Sequence, residues 1–169
     1  MKYALILKSC CISLLMISMV FCPLQAKELK KLVGKAVRIL DGDTFELLTP
    51  NKQLFKIRLL DIDAPEKGQD FGNQSKKRLG ELIFQKNVEV EYSQTDRNGR
   101  ILGTIYVDNL QINLQMVKDG LAWHFLKYSH KKEFEAAEKK ARLLRIGLWQ
   151  GSSPLEPWIF RQNKRKNKH

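Results

Sequence analysis

The chain has 169 residues, a length that fits one compact domain and leaves no room for two large ones. Hydrophobic residues make up 43% and charged residues 28%, which is enough to bury a core and too apolar for a disordered chain. With 30 Lys and Arg against 18 Asp and Glu the formal charge is +12, an excess that favours polyanions as partners.

Lys2 and Lys8 precede an apolar stretch from Cys10 to Phe21, followed by Cys22, Pro23 and the ending Leu24-Gln25-Ala26. This is the layout of a secretory signal peptide, expected to span residues 1–26 and to be cleaved after Ala26, where the charged run from Lys27 to Lys31 opens the mature chain. The alternative is an uncleaved anchor, for which the uncharged stretch from Ser9 to Ala26, broken by serines, Pro23 and Gln25, is short. Loss of Lys2 and Lys8 leaves 28 basic against 18 acidic residues, so the basic character, net +10, belongs to the domain. Cys10, Cys11 and Cys22 all lie in the leader, so a chain cleaved there has no thiol for a disulfide, a nucleophile or a thiolate metal site.

From Leu32 to Leu60 the pattern predicts three strands, joined by the turns Asp41-Gly42-Asp43 and Thr49-Pro50-Asn51. Ser75 to Phe84 carries Leu79, Leu82 and Ile83 at helical spacing, with Asn73 or Ser75 as the expected cap. Val88 to Tyr92 alternates, a turn follows at Asp96-Arg97-Asn98-Gly99, and Ile101 to Val107 is rich in β-formers, which predicts a hairpin and brings the sheet to five strands. A short helix is expected over Asn113 to Lys118, stopped by Gly120, and a longer one over Ser129 to Arg145, with the stripe Phe134, Ala137, Ala141 and Leu144 and a stop at Gly147. The main domain is expected to span residues 27–160, and the basic tail 161–169 to be disordered and peripheral. Strands first and helices mostly later make the fold class α+β.

Two acidic clusters stand out in this basic chain: Asp41-Gly42-Asp43-Thr44 at a turn, and Asp61-Ile62-Asp63-Ala64-Pro65-Glu66 at a strand end. Carboxylates brought together repel unless a cation or a guanidinium neutralises them, and oxygen-only ligands select a hard ion such as calcium or magnesium over zinc. Each cluster alone has an ordinary reading, because Asp-Gly turns favour Asp and Asp61 can cap a turn. Arg58 stands on an otherwise apolar strand five residues before Asp63, where a guanidinium suits bidentate binding of carboxylate or phosphate. Strand parity places Arg58 and Asp63 on opposite faces, so a strand end or bulge must intervene if both serve one site. Arg100, after the Asp96 to Gly99 turn, reads either as a rim arginine of that site or as a solvated turn charge.

Ile39 to Thr44, Arg58 to Glu66 and Asp96 to Arg100, in this order and spacing, resemble the thermonuclease (staphylococcal nuclease) family, over roughly Leu32 to Trp149. The resemblance implies a five-stranded barrel of the oligonucleotide/oligosaccharide-binding type with about three helices. It also implies a calcium-dependent, sugar-nonspecific endonuclease of the micrococcal type that cuts DNA and RNA between phosphorus and the 5′ oxygen, secreted or periplasmic. On that likeness one Ca2+ ion is ligated by Asp43, Asp63 and the carbonyl of Ala64, with Asp41 supporting. Glu66 activates water, and Arg58 and Arg100 grip the phosphate. A monomer is implied, with no stable protein partner, and membrane contact only through an uncleaved leader.

The loop after Glu66, Lys67 to Phe71, is shorter than in the staphylococcal enzyme, and Leu126 stands where that enzyme has a tyrosine near the nucleotide. Arg97, Trp123 and Tyr128 remain as expected nucleic-acid contacts, Trp123 by stacking on a base; core packing is the equal alternative for Trp123 and Phe125. His124, His130 and His169 have no ligand-like spacing. The rival function is a barrel that binds nucleic acid without cutting it; a cationic membrane-surface protein fits the charge and explains neither acidic cluster.

Overall fold

Alternating apolar residues build the sheet. The computed structural model describes residues 28–167, so the expected leader lies outside the described residues. Strands β1 (Lys30–Ile39), β2 (Thr44–Leu48) and β3 (Leu54–Leu59) run as an antiparallel meander, and β5 (Asn87–Thr95) and β6 (Ile101–Val107) form the hairpin. β1 also pairs with β5, and β3 lies parallel to β6 with Ile57 opposite Ile101 and Arg58 opposite Leu102, which closes the five strands into a barrel. The inward positions Phe45, Leu47, Ile57, Leu59, Val90 and Ile105 are fully or almost fully buried.

Helices close the barrel. They are α1 (Gly72–Ile83), α2 (Ile112–Lys118), α3 (Lys132–Leu143) and a fourth, α4 (Pro157–Lys166), with a 3-10 turn at Gly147–Gln150 before it. Two-residue strands complete the fold: β4 (Ile62–Asp63) pairs antiparallel with β8 (Trp123–His124), and β7 (Leu110–Gln111) pairs antiparallel with the end of β6. Leu79 and Ile83 of α1, Ile112 and Met116 of α2 and Phe134 of α3 enter the barrel core, while Trp123, Ala141, Leu148 and Trp149 form a second apolar cluster outside it.

Three boundaries differ from expectation. α1 is entered through Phe71 at φ 63° with no side-chain cap, and Ser75 instead lies buried with its hydroxyl donating to the Leu121 carbonyl at 2.7 Å. Packing between α1 and the chain after α2 thus takes the residue that local chemistry would use as a cap. α3 stops at Leu143, two residues short, because Arg145 adopts φ 50° and the Ile146 N–H returns to the Ala141 carbonyl at 3.0 Å, leaving Leu144 exposed. Arg161–Lys166, expected to be disordered, continues helix α4: Pro157 starts it and is buried, and Trp158 packs against Trp123 and Phe125.

The buried Asn113 side chain joins α2 to the barrel and to the residue before the acidic strand end. Its Nδ2 donates to the carbonyls of Leu60 (2.9 Å) and Gly103 (3.0 Å), and its Oδ1 accepts from the Ile105 N–H at 2.9 Å. Unmet buried polar groups cost about 1–3 kcal/mol each, so Asn113→Ala is expected to lower stability by about 2–4 kcal/mol in urea unfolding with an unchanged denaturant slope. A loss below about 1 kcal/mol would show that these bonds are replaced by water.

Candidate active site

The first acidic cluster is shaped by close approach. A side chain at Gly42 would collide with Ser75 of α1 and with Ala64, so the turn between β1 and β2 can pass under α1 only with glycine there. The Asp41 carboxylate accepts the Asp43 N–H at 3.1 Å, which closes the turn and directs Asp43 inward, where 1% of it is exposed. Asp43 then accepts from the Thr44 hydroxyl at 3.0 Å and from the Ala64 N–H at 2.7 Å.

The parity problem between Arg58 and Asp63 is solved by a left-handed residue. β3 ends at Leu59, and Asp61 takes φ 69°, so the chain resets its facing before β4 begins. Asp61 is pinned there by Lys131 on its carboxylate at 2.7 Å and by the Phe125 N–H on its carbonyl at 2.9 Å. Asp63, placed by pairing with Trp123 and fully buried, consequently meets the same guanidinium as Asp43: Arg58 Nη2 donates to Asp63 Oδ1 at 2.6 Å, and Nη1 to Asp43 Oδ1. One fork bridges two carboxylates that come from different turns.

Burial pushes the Asp43 carboxyl well above the usual carboxylate range; Arg58 opposes this, and Asp41 and Asp63 add to it. Burial also works against the charge of Arg58, yet Asp43 and Asp63 outweigh it and raise that guanidinium's pKa. A second guanidinium enters from α4. Arg161 Nη2 donates to Asp63 Oδ2 at 2.6 Å, and its Nη1 donates to Glu66 Oε1 at 2.7 Å and to Asp63 Oδ1 at 3.1 Å. The tail expected to be peripheral therefore reaches the acidic centre. Composition pointed to a solvated charge run, but Pro157 at a helix start, with Trp158 and Arg161 three residues apart on one face, was the signal of an anchored helix.

Asp43, Arg58, Asp63, Ala64 and Glu66 are thus assembled, with Asp41 behind Asp43. Arg100 stands apart from them. Its Nε and Nη2 lie 2.8 Å from Asp96 Oδ2, and its N–H bonds Asp96 Oδ1 at 3.0 Å, in a turn that leads into β6 beside the strand of Arg58. Those bonds hold the Asp96 carboxyl below its usual range although burial raises it. Arg97 is exposed at the tip of the same turn. Trp123 is buried against Trp149, with ring centroids 4.4 Å apart and Arg142 over its ring at 4.9 Å, so it packs the core and has no face open to a base. Tyr128 remains exposed, edge-on to Phe125 at 4.9 Å.

Among the described residues no three His, Cys, Asp or Glu side chains converge as metal ligands. The oxygen donors that do meet are the carboxylates of Asp43 and Asp63, with Ala64 held against Asp43 by its N–H. Two carboxylates, with no thiolate or imidazole between them, fit a hard cation that completes its shell with water.

Residues 56–151 match the family model for staphylococcal nuclease homologues. Over 149 residues, 88% of this chain and 84% of the relative, the chain is 41% identical to an "uncharacterized endonuclease" of Haemophilus influenzae. It is 42% identical over 132 residues to an "uncharacterized endonuclease" of Escherichia coli, covering 78% and 86% of the two chains. A "micrococcal nuclease" of Shigella flexneri is 41% identical over 140 residues, 76% of this chain and 80% of the relative. A closed five-stranded barrel with three ordered motifs, and likeness of this extent, place the chain in one family: it belongs to the staphylococcal nuclease homologues, as a staphylococcal-nuclease-like nuclease.

Proposed function

We propose that the chain is a calcium-dependent, sugar-nonspecific nuclease that hydrolyses DNA and RNA between phosphorus and the 5′ oxygen, and that it works outside the cytoplasm after losing residues 1–26. The observation that carries this reading is the Arg58 bridge between the buried Asp43 and Asp63 with Glu66 beside it. Asp43, Asp63 and the Ala64 carbonyl would hold one Ca2+. When bound, the ion would supply positive charge to offset that of the scissile phosphate.

The remaining chemistry falls to side chains. Glu66 takes the proton of the attacking water as its oxygen bonds phosphorus, the P–O5′ bond breaks, and the leaving oxygen is protonated from solvent, giving a 3′-phosphate and a 5′-hydroxyl. Arg58 faces the negative charge that builds on the phosphoryl oxygens, and Arg100 joins it when substrate draws its fork from Asp96. Arg97 and Tyr128, both exposed, offer charge and an aromatic face to the flanking nucleotides.

Labelled DNA and RNA incubated with the mature protein should both be cut in calcium, with 3′-phosphate ends, and left intact in chelator. Binding without cutting would favour the non-catalytic barrel, and 5′-phosphate ends would refute the bond assignment. Glu66→Gln should slow single-turnover cleavage by about 10²–10⁴-fold while DNA affinity stays near wild type. Unchanged rates in the folded variant would remove Glu66 from catalysis. Arg58→Lys keeps the charge but cannot span two carboxylates, so it should slow cleavage and also lower stability by about 1.5–3 kcal/mol, the scale of one charged hydrogen bond. A fully active, fully stable Arg58→Lys protein would mean that charge alone suffices.

A further inference from the structure

α4 lies outside the residues matched to the family model, yet it delivers a guanidinium to the acidic centre. Its docking is specific. Trp158 stacks on Phe125 with centroids 5.3 Å apart and planes 12° apart, and meets the buried Trp123 edge-on at 5.8 Å. One helical turn further, on the same face, Arg161 reaches Asp63 and Glu66. The lead-in to the helix is tied to the Glu66 loop by a single side chain: Gln69 Nε2 donates to the Leu155 carbonyl at 2.5 Å, while its Oε1 accepts the Glu66 N–H at 3.0 Å. Gln69 thus joins the lead-in of α4 to the loop bearing Glu66.

The contacts leave little for another cation. Both Asp63 oxygens are engaged, Oδ1 by Arg58 and Arg161 and Oδ2 by Arg161, and a Glu66 oxygen is held by the same guanidinium. A divalent ion on Asp63 would face Arg161 at ion-pair distance in a partly buried setting, where like charges repel strongly. Arg58 is held by two aspartates and its side chain is 14% exposed, whereas the Arg161 side chain is 33% exposed, so Arg161 is the more accessible of the two guanidiniums.

We propose that Arg161 is a built-in occupant of the cation site: docked α4 neutralises Asp63 and Glu66 in the resting protein, and a divalent cation binds as Arg161 leaves them. The inference rests on the reading of Asp63 as a cation ligand. It makes α4 a latch, in which the same displacement admits the cation and releases Glu66 from its ion pair.

The test is calorimetric titration of Ca2+ into the mature full-length chain, without nucleic acid, for wild type, Arg161→Gln and Arg161→Lys, with circular dichroism to confirm folding. An occluding group lowers apparent affinity by the fraction of molecules in which it has left, so Arg161→Gln should bind Ca2+ about tenfold or more tightly than wild type. Arg161→Lys, which keeps the charge but not the fork, should fall between, and it carries the test if the glutamine variant does not fold. Equal or weaker Ca2+ binding by the folded variants, beside measurable binding by wild type, would overturn the latch and leave the proposed function standing. Absence of binding in all three proteins would overturn both.

Discussion

The Arg58 guanidinium bridging Asp43 and Asp63 is the interaction on which the site depends. Two buried carboxylates in contact would repel each other in a medium of low dielectric constant, and a guanidinium is the side chain whose fork can hold both at once. The bridge spans three separate pieces of chain: the β1–β2 turn, strand β3 and the two-residue strand β4. Removing one member leaves uncompensated buried charge, so the arrangement is costly to break as well as costly to build.

The rest of the fold serves that arrangement at one or two steps' remove. Gly42 lets α1 press on the Asp turn, and Ala64 is small enough to share the same space. Asp61 turns the chain in the left-handed region and is held there by Lys131 from the start of α3, while β8 fixes the depth of Asp63 by pairing with it. Asn113 ties the preceding residue to α2 and β6. Barrel, helices and tail thus converge on one patch of negative charge in a basic protein.

Much of this was legible in the chain. Alternation marked Val88 to Tyr92, turn residues and β-formers marked the other barrel strands, and the Asp-Gly-Asp turn and the Arg58 to Glu66 run held in order the residues that the fold brings together. Parity alone separated Arg58 from Asp63, and only the left-handed Asp61 joins them, a conformation that Asp tolerates but does not announce. Ser75 looked like a cap and became a packing residue, Trp123 was open between stacking and core and went to the core, and α4 was hidden by its own composition. The charge of 161–169 suggests a solvated tail, whereas Trp158, on the face of Arg161, packs against a cluster that contains Trp123 and Trp149.

Anomalous diffraction from crystals of the mature protein grown in calcium is the most direct test of cation binding at Asp43 and Asp63. Their assignment as ligands predicts one calcium peak per chain, ligated by the carboxylates of Asp43 and Asp63 and by the Ala64 carbonyl, with Arg161 withdrawn from Asp63. A peak elsewhere, or a calcium ion that leaves Asp43 and Asp63 unligated, would contradict it.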